Sequence, residues 1–386
     1  MNKIDELIQQ YCPDGVEYVP IGDYLSYEQP TRYLVESTKY DDSYTTPVLT
    51  AGQSFILGYT KETSGIFDAS RNNPVIIFDD FTTSFHWVEF SFKVKSSAMK
   101  MLRPTNESKA LFRYLYHCMK NIQYVPGDHT RQWIGTYSQF EIPLPPLPIQ
   151  EEIVRILDNF TNLAAELQAE LQARQQQYNY YRDTLLSFEG REDVKEFSVG
   201  EIATFTYGYT TKANDEGNIR YIRITDINEQ GGLNPSDGKF IYQSPEVEPY
   251  LLRKGDLVMA RTGATYGKTL YYNEEYPSAY ASFLIKISFN DLVNPRYYWH
   301  FSKSIKYWEQ ARRIVGGGAQ PQFNTGAISQ VKITLPPLAE QQRIVDILDR
   351  FDNLVNDLSQ GLPAEIEARQ QQYEYYRDQL LTFKRM

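Results

Sequence analysis

Cysteine is nearly absent from this chain, with only Cys12 and Cys118 among 386 residues. Two thiols cannot build a disulfide framework, and neither has a Cys or His neighbour at zinc-binding spacing. A reducing compartment without structural metal is expected, with both cysteines in packing roles. Long apolar runs are missing as well. No stretch approaches the roughly 20 residues of a membrane span, and Met1-Asn2-Lys3-Ile4-Asp5-Glu6 has no signal-peptide core. The expected location is cytoplasmic, with no membrane partner. Also missing are a glycine-rich dinucleotide fingerprint, an Asn-Pro-Pro-Tyr methyltransferase tetrad and a nucleophile elbow.

Positive charge is short too. The formal charge of −10 argues against nucleic acid on average, because Lys and Arg on phosphates supply most non-specific affinity. The average hides a basic stretch, in which Arg296, Lys303, Lys306, Arg312 and Arg313 face only Glu309. Tyrosine, in contrast, is plentiful at 31 residues. Half-buried strands explain part of that, and a surface offering hydroxyls to phosphates and rings to bases is the other reading.

The length suits two domains, and self-similarity defines them. Ile142-Pro-Leu-Pro-Pro-Leu-Pro-Ile-Gln-Glu-Glu-Ile-Val-Arg-Ile-Leu-Asp-Asn-Phe160 returns as Ile333-Thr-Leu-Pro-Pro-Leu-Ala-Glu-Gln-Gln-Arg-Ile-Val-Asp-Ile-Leu-Asp-Arg-Phe351. Ala173-Arg-Gln-Gln-Gln-Tyr-Asn-Tyr-Tyr-Arg-Asp-Thr-Leu-Leu-Ser-Phe188 returns as Ala368-Arg-Gln-Gln-Gln-Tyr-Glu-Tyr-Tyr-Arg-Asp-Gln-Leu-Leu-Thr-Phe383. Chance does not produce both, so the chain is a duplication. In the first copy Ile153, Leu157, Phe160, Leu167, Leu171, Tyr178, Tyr181 and Leu185 fall on a coiled-coil seam. The second seam runs through Ile344, Leu348, Phe351, Leu358, Tyr373, Tyr376 and Leu380, with a stutter before Ile366. Gly361 and Pro363 predict a break or kink there.

Leu-Pro-Pro-Leu forces an extended entry, so the helices are predicted to start near Pro148 and Ala339. A helix of about 40 residues spans roughly 60 Å, close to 18 base pairs at about 3.4 Å each. Its length suits a spacer between two DNA sites. Ile4, Leu7, Ile8 and Tyr11 share one helical face, and Val16-Glu-Tyr-Val-Pro-Ile-Gly-Asp23 resembles Val194-Lys-Glu-Phe-Ser-Val-Gly-Glu201. The N-terminal helix thus stands where the second long helix would end in a closed ring. The expected fold is α+β: two globular domains separated by two long antiparallel coiled-coil helices, in a pseudo-two-fold, circularly permuted repeat. The boundaries are 1–11 for the N-terminal helix, 12–145 and 190–336 for the domains, and 146–189 and 337–386 for the long helices.

The two domains share little sequence beyond their edges. Strands are expected at Pro74–Phe78, Phe85–Phe90, Asp256–Ala260 and Thr269–Tyr272, and helices at Ser108–Met119 and Pro295–Arg312. Gly263-Ala-Thr-Tyr-Gly267-Lys268-Thr269 looks like a phosphate-binding loop. It is one residue short of that spacing and leads into a strand rather than a helix. A DNA-facing hairpin fits better, with charge from Arg261 and Lys268, hydroxyls from Thr262, Thr265 and Tyr266, and close backbone approach at Gly263. An ordinary tight turn is the alternative. Gln320, Gln322 and Asn324 end a glycine-rich loop and could pair with adenine edges, or simply be solvated. The corresponding loop of the first domain carries Arg131 and Trp133. Asp79, Asp80, Thr82 and Thr83 stand roughly where Arg261–Thr265 stand and could accept from cytosine amino groups. Adjacent acids without a nuclease lysine read poorly as a catalytic pair. Thr50, Gln53, Tyr59 and Thr60 are weaker candidates, and His86 and His117 read as packing residues.

The duplicated Leu-Pro-Pro-Leu helices, the Ala-Arg-Gln-Gln-Gln-Tyr-x-Tyr-Tyr-Arg-Asp-x-Leu-Leu-x-Phe segment and the two divergent domains closely resemble the specificity subunit of type I restriction-modification enzymes, over essentially the whole chain. The segments Arg261–Lys268 and Gly318–Asn324 look like those of second-half target recognition domains. The resemblance implies a subunit without catalysis that reads an asymmetric two-part sequence in double-stranded DNA. It implies two modification subunits that bind S-adenosylmethionine, and two motor-nuclease restriction subunits using ATP and Mg, with no cofactor held by this chain. The tandem Ala165-Glu-Leu-Gln and Ala169-Glu-Leu-Gln pair looks like the family's spacer-setting element. The rival readings are a coiled-coil scaffold for protein partners, favoured by the acidic charge, and a phosphate-cleaving enzyme dependent on Lys268.

Overall fold

The structure is a computed structural model describing residues 3–52, 54–188, 190–234, 236–316, 322–357 and 360–386. The chain forms two compact units, Met1–Glu166 with Glu367–Met386, and Leu167–Ile366. The first begins with α1 (Lys3–Tyr11) and continues through β1 (Glu17–Pro20), β2 (Leu25–Glu28), β3 (Thr46–Leu49), β4 (Ile56–Thr60), β5 (Val75–Asp79), β6 (Phe85–Val88), β7 (Lys93–Val94), β8 (Met99–Pro104), α2 (Phe112–Asn121) and β9 (Glu141–Leu144). A single 39-residue helix, α3 (Leu147–Leu185), passes from this unit into the next.

The second unit follows with β10 (Lys195–Ser198), α4 (Val199–Ile202), β11 (Ala203–Tyr207), β12 (Ile219–Ile222), β13 (Phe240–Ile241), β14 (Leu257–Ala260), β15 (Thr269–Tyr271), β16 (Ser278–Tyr280), β17 (Leu284–Phe289), α5 (Pro295–Phe301), α6 (Ile305–Val315), α7 (Thr325–Ile328), β18 (Lys332–Leu335) and α8 (Leu338–Asn356), and α9 (Leu362–Leu380) returns to the first.

Domains so unlike in sequence share one topology. The first holds a four-stranded sheet ordered β2-β8-β5-β6, a three-stranded sheet β4-β3-β7 and the pair β1-β9. The second repeats these as β11-β17-β14-β15, β13-β12-β16 and β10-β18, with the same strand directions in each pairing. The central strand β5 is apolar nearly throughout because both of its faces are covered. Ile76 and Phe78 join the cluster of Trp133 and Tyr137, whereas Val75 and Ile77 join that of Phe67 and Phe92. In β14, Leu257 and Met259 pack with Tyr298 and Phe323, whereas Val258 and Ala260 pack with Ile222 and Leu270.

Each domain is fastened to its stretch of the long helices by the same set of bonds. Arg113-Tyr-Leu-Tyr-His117 on α2 has its counterpart in Arg296-Tyr-Tyr-Trp-His300 on α5. His117 is fully buried and bonds Asp158 of α3 at 2.8 Å and the Tyr373 hydroxyl of α9 at 3.3 Å. His300 is equally buried, bonding Asp349 of α8 at 2.7 Å and the Tyr178 hydroxyl of α3 at 3.2 Å. A neutral ring that donates from Nε2 to the carboxylate and accepts at Nδ1 from the tyrosine satisfies all three groups. Burial, the largest cause, holds the His300 imidazole down at about 4 despite the Asp349 carboxylate, aided by the Arg296 and Lys303 cations. His117 is lowered by burial in the same way.

Arg113 and Arg296 donate to the same aspartates at 2.8 Å. Gln150 and Gln341 accept from Leu111 and Asn294 backbone N–H groups at 2.9 Å, while their amides donate to Pro145 and Pro336 carbonyls. Both histidines are therefore packing residues that also clamp three elements together.

The long helices run antiparallel within each unit. In the first, Phe160 stacks on Tyr376, and the chain end beyond α9 returns to the first domain, where Lys384 O accepts from Val16 N at 2.9 Å and Tyr18 bonds Phe383. In the second, Tyr181 stacks on Phe351. The seam is deepest at Ile153, Leu157, Tyr178, Ile344, Leu348 and Tyr373, which are buried. Phe160, Leu167, Leu171, Leu185, Phe351 and Leu380 are half-buried. Tyr181 and Tyr376 depart from the expected seam, since they remain exposed although each stacks on a phenylalanine. Leu358 lies outside the described residues.

The long second helix is in fact two, α8 and α9, divided where the stutter predicts. A Cβ on Gly361 would fall 2.6 Å from the Asp357 carbonyl oxygen and 2.7 Å from that of Asn353, so only glycine fits the break. The expected helix Pro295–Arg312 is likewise divided, because Ser304 caps α6 by accepting from Tyr307 N.

Candidate nucleic-acid interface

The backbone equivalence continues to the loops beyond the central strands. Asp79 N donates to Ser84 O at 2.9 Å and Ala260 N to Lys268 O at 2.9 Å. One residue on, Asp80 N donates to Ala98 O and Arg261 N to Phe283 O, both at 3.1 Å. Asp80 O then accepts from Gln132 N at 2.8 Å, and Arg261 O from Phe323 N at 2.7 Å. Asp80 and Arg261 therefore occupy the same place, and the loop containing Arg131 matches the one containing Gln322.

In the second unit this place opens to solvent. Arg261 is half-buried, and its Nε donates to Ser282 O at 3.1 Å. Thr262 and Gln322 form an isolated antiparallel bridge, with Gln322 Nε2 donating to Thr262 Oγ1 at 3.2 Å. Residues 60 apart in sequence, both expected at a DNA surface, are thus brought together beside Arg261. No motif points to Tyr207 and Phe283, two exposed rings that each lie 5.3 Å from the same guanidinium.

Other expected readers are committed elsewhere. Asn324 Oδ1 accepts from Ala327 N at 3.0 Å and so caps α7. Tyr266 packs edgewise on Trp308 and Phe323, and Thr265 Oγ1 is buried. Lys268 is ion-paired with Glu229. Gly263 supplies a left-handed turn at φ 73°, and no atom of the described residues lies within 4 Å of its missing Cβ. The segment runs as one short turn from β14 into β15, so the helix that a phosphate-binding loop requires is not there. Gln320 lies outside the described residues.

In the first unit the sequence reading needs more correction. Asp80 is not a surface acid: it is 1% exposed, pairs with the equally buried Lys100 at 3.0 Å, and accepts from Trp133 N at 2.8 Å. Trp133 is itself core, edge-on to Phe78. Thr60 and Thr83 are also buried, and Thr83 holds a left-handed turn at φ 57°. Asp79 accepts from the Phe81 and Thr82 N–H groups at 2.9 Å, closing the hairpin turn. That leaves Thr82 and Arg131 exposed, Thr50 and Tyr59 half-buried, and Gln53 outside the described residues. Among the described residues no three His, Cys, Asp or Glu side chains gather as metal ligands would, and no helix is long and apolar enough to cross a membrane.

Comparison with known proteins agrees with the duplication. The family model described as the type I restriction modification DNA specificity domain matches twice, at residues 13–174 and 191–368. The specificity subunit of the Escherichia coli type I restriction enzymes EcoR124I and EcoR124II is 44% identical, with 96% of this chain and 95% of that protein covered. A putative type I specificity subunit of Haemophilus influenzae is 33% identical, with 86% of each chain covered. The crystal structure of a type I restriction-modification S subunit from M. genitalium shares the fold at a TM-score of 0.61, with 14% identity, over 96% of this chain and 97% of that one. Twin scaffolds, repeated helices and matches spanning both repeats place this chain in the type I restriction-modification DNA specificity family, as a specificity subunit.

Proposed function

We propose that each unit reads one half of an asymmetric, bipartite sequence in double-stranded DNA, and that the long helices set the spacer between the halves. One observation carries this reading: at equivalent points of one scaffold, the two units present unlike side chains. Arg261, Thr262 and Gln322 mark the reading surface of the second unit, with Thr82 and Arg131 in the first. Base identity is read by such side chains, whereas the backbone fixes register. The uninterrupted α3, about 58 Å long at 1.5 Å per residue, supports the spacer role.

The chain carries recognition rather than chemistry, and works in the cytoplasm. Two modification subunits dock on the helices and flanking surfaces and bring S-adenosylmethionine. Two restriction subunits bring ATP and Mg. Much of the phosphate contact comes from these partners, in keeping with a charge of −10 on this chain. In filter binding, the lone subunit is expected to hold DNA weakly and the complex with modification subunits tightly. Tight, specific binding by the lone chain contradicts that division.

Exchange of residues 12–145 for a foreign recognition domain tests the reading itself. Mapping of methylated adenines is expected to show one half of the target changed and the other kept. Loss of a protein partner with the target unaltered would instead favour a scaffold.

A further inference from the structure

The side chain of Arg261 is fixed more firmly than a surface arginine needs to be. Its backbone is bonded on both sides, to Phe283 O and from Phe323 N. Nε is committed to Ser282 O. The guanidinium carbon lies 5.3 Å from the ring centroids of both Tyr207 and Phe283, within cation–π range. Among the described residues no carboxylate pairs with it. The rings attract the charge without neutralising it, so a half-buried cation is held ready for an acceptor from outside. Both rings are open, at 42% and 51% exposure. The fold does not require a cation here, since the same place in the first unit holds Asp80, sealed in the core with its own lysine.

With Nε occupied, the two Nη nitrogens remain as paired donors. In the major groove only guanine offers two adjacent acceptors, O6 and N7; adenine pairs an acceptor with a donor, and thymine has one acceptor. A phosphate also accepts twice, but the two electron-rich ring faces beside the guanidinium disfavour an anion and suit a planar base. We propose that Arg261 reads the guanine of one G·C pair in the half-target of the second unit, with Tyr207 and Phe283 as positioning residues that hold the guanidinium plane. The assignment rests on this unit being a DNA reader.

The test uses the full chain assembled with its modification subunits, and a DNA library in which every base pair of the target is varied in turn, with methylation as readout. The wild-type complex is expected to require a G·C pair at one position of the second half. In Arg261→Gln the discrimination at that position alone falls about tenfold or more, while all other positions keep theirs. Arg261→Lys, which keeps the charge but loses the planar fork, loses the same discrimination. It carries the test alone if the Gln variant does not assemble. Phe283→Leu shows a smaller loss at the same position.

A half-target without a G·C pair, or a uniform drop in methylation of every sequence with preferences intact, overturns the proposal in favour of a phosphate contact or a packing role. The broader reading fails by a different sign: exchange of residues 190–336 would leave the methylated sequence unchanged.

Discussion

At the residue that follows the central strand, the first unit places a buried aspartate and the second a solvent-facing arginine. The backbone bonds around Asp80 and Arg261 are the same, so the scaffold does not decide which one faces solvent. What decides it is the neighbour supplied across the sheet. Lys100 stands on β8 opposite Phe78 and neutralises Asp80 inside the core, whereas Arg261 meets two rings and, among the described residues, no acid. Equivalent positions in a duplicated protein thus hold a core ion pair in one copy and a solvent-facing cation beside two rings in the other.

The sharpest way to break this comparison is to remove each charge in turn. Asp80→Ala takes from the buried Lys100 the countercharge at 3.0 Å and is expected to destabilise the first unit by about 3–5 kcal/mol, read as a lower denaturant midpoint. Arg261→Gln is expected to change stability by less than about 1 kcal/mol. Equal losses would show that both residues are structural.

Next in size is the clamp shared by both units. His300→Ala leaves the buried Tyr178 hydroxyl without its acceptor and Asp349 with Arg296 alone, and is expected to cost about 2–3 kcal/mol, with a similar loss for His117→Ala. The His300 ring also predicts a direction with pH. Its folded value of about 4 lies below the roughly 6.5 of an unfolded histidine, so its contribution is complete above pH 6.5 and lost as pH falls towards 4. Unfolding followed between pH 7 and 4 should show this loss in the wild-type protein and less of it in His300→Gln.

Smaller still is the difference between the uninterrupted α3 and the broken α8–α9. Gly361→Ala pushes a methyl group onto backbone carbonyls and is expected to cost about 1–3 kcal/mol in thermal unfolding. A neutral or stabilising result would mean that the break is not needed. The smallest effect is expected from Tyr207→Phe, which removes only the 3.3 Å bond to Thr325 Oγ1 and should change stability by less than about 1 kcal/mol.

The helices were legible in the sequence because their signals are local and repeated: proline entries, a four-and-three seam, and Gly361 with Pro363 at the division. The common domain scaffold was hardly legible. Its strands are short, and their pairing joins segments far apart, as in β3 with β7 or β12 with β16. The short likeness between Arg113–Lys120 and Arg296–Lys303 is a trace that could have strengthened it. Its weight comes from the aspartates and tyrosines it meets on other elements, which sequence alone does not align with it.

Candidate readers failed for the same reason. Asp80 reads as a turn acid until β8 brings Lys100 beside it, and Asn324 reads as a free amide until the four residues after it form a helical turn. Thr262 and Gln322, 60 residues apart, meet beside Arg261 only through the bridge that the fold builds between them. Tyr207 and Phe283 reach Arg261 only through the folded sheet.

The central claim is that one scaffold accepts either reader through the same fastenings. Its most direct test replaces residues 190–336 with a second copy of 12–145, assembles that chain with modification subunits, and maps methylated adenines. The account predicts efficient methylation of a target made of the first half-sequence twice. An assembled complex that still modifies the original second half, or modifies no defined sequence, would contradict it.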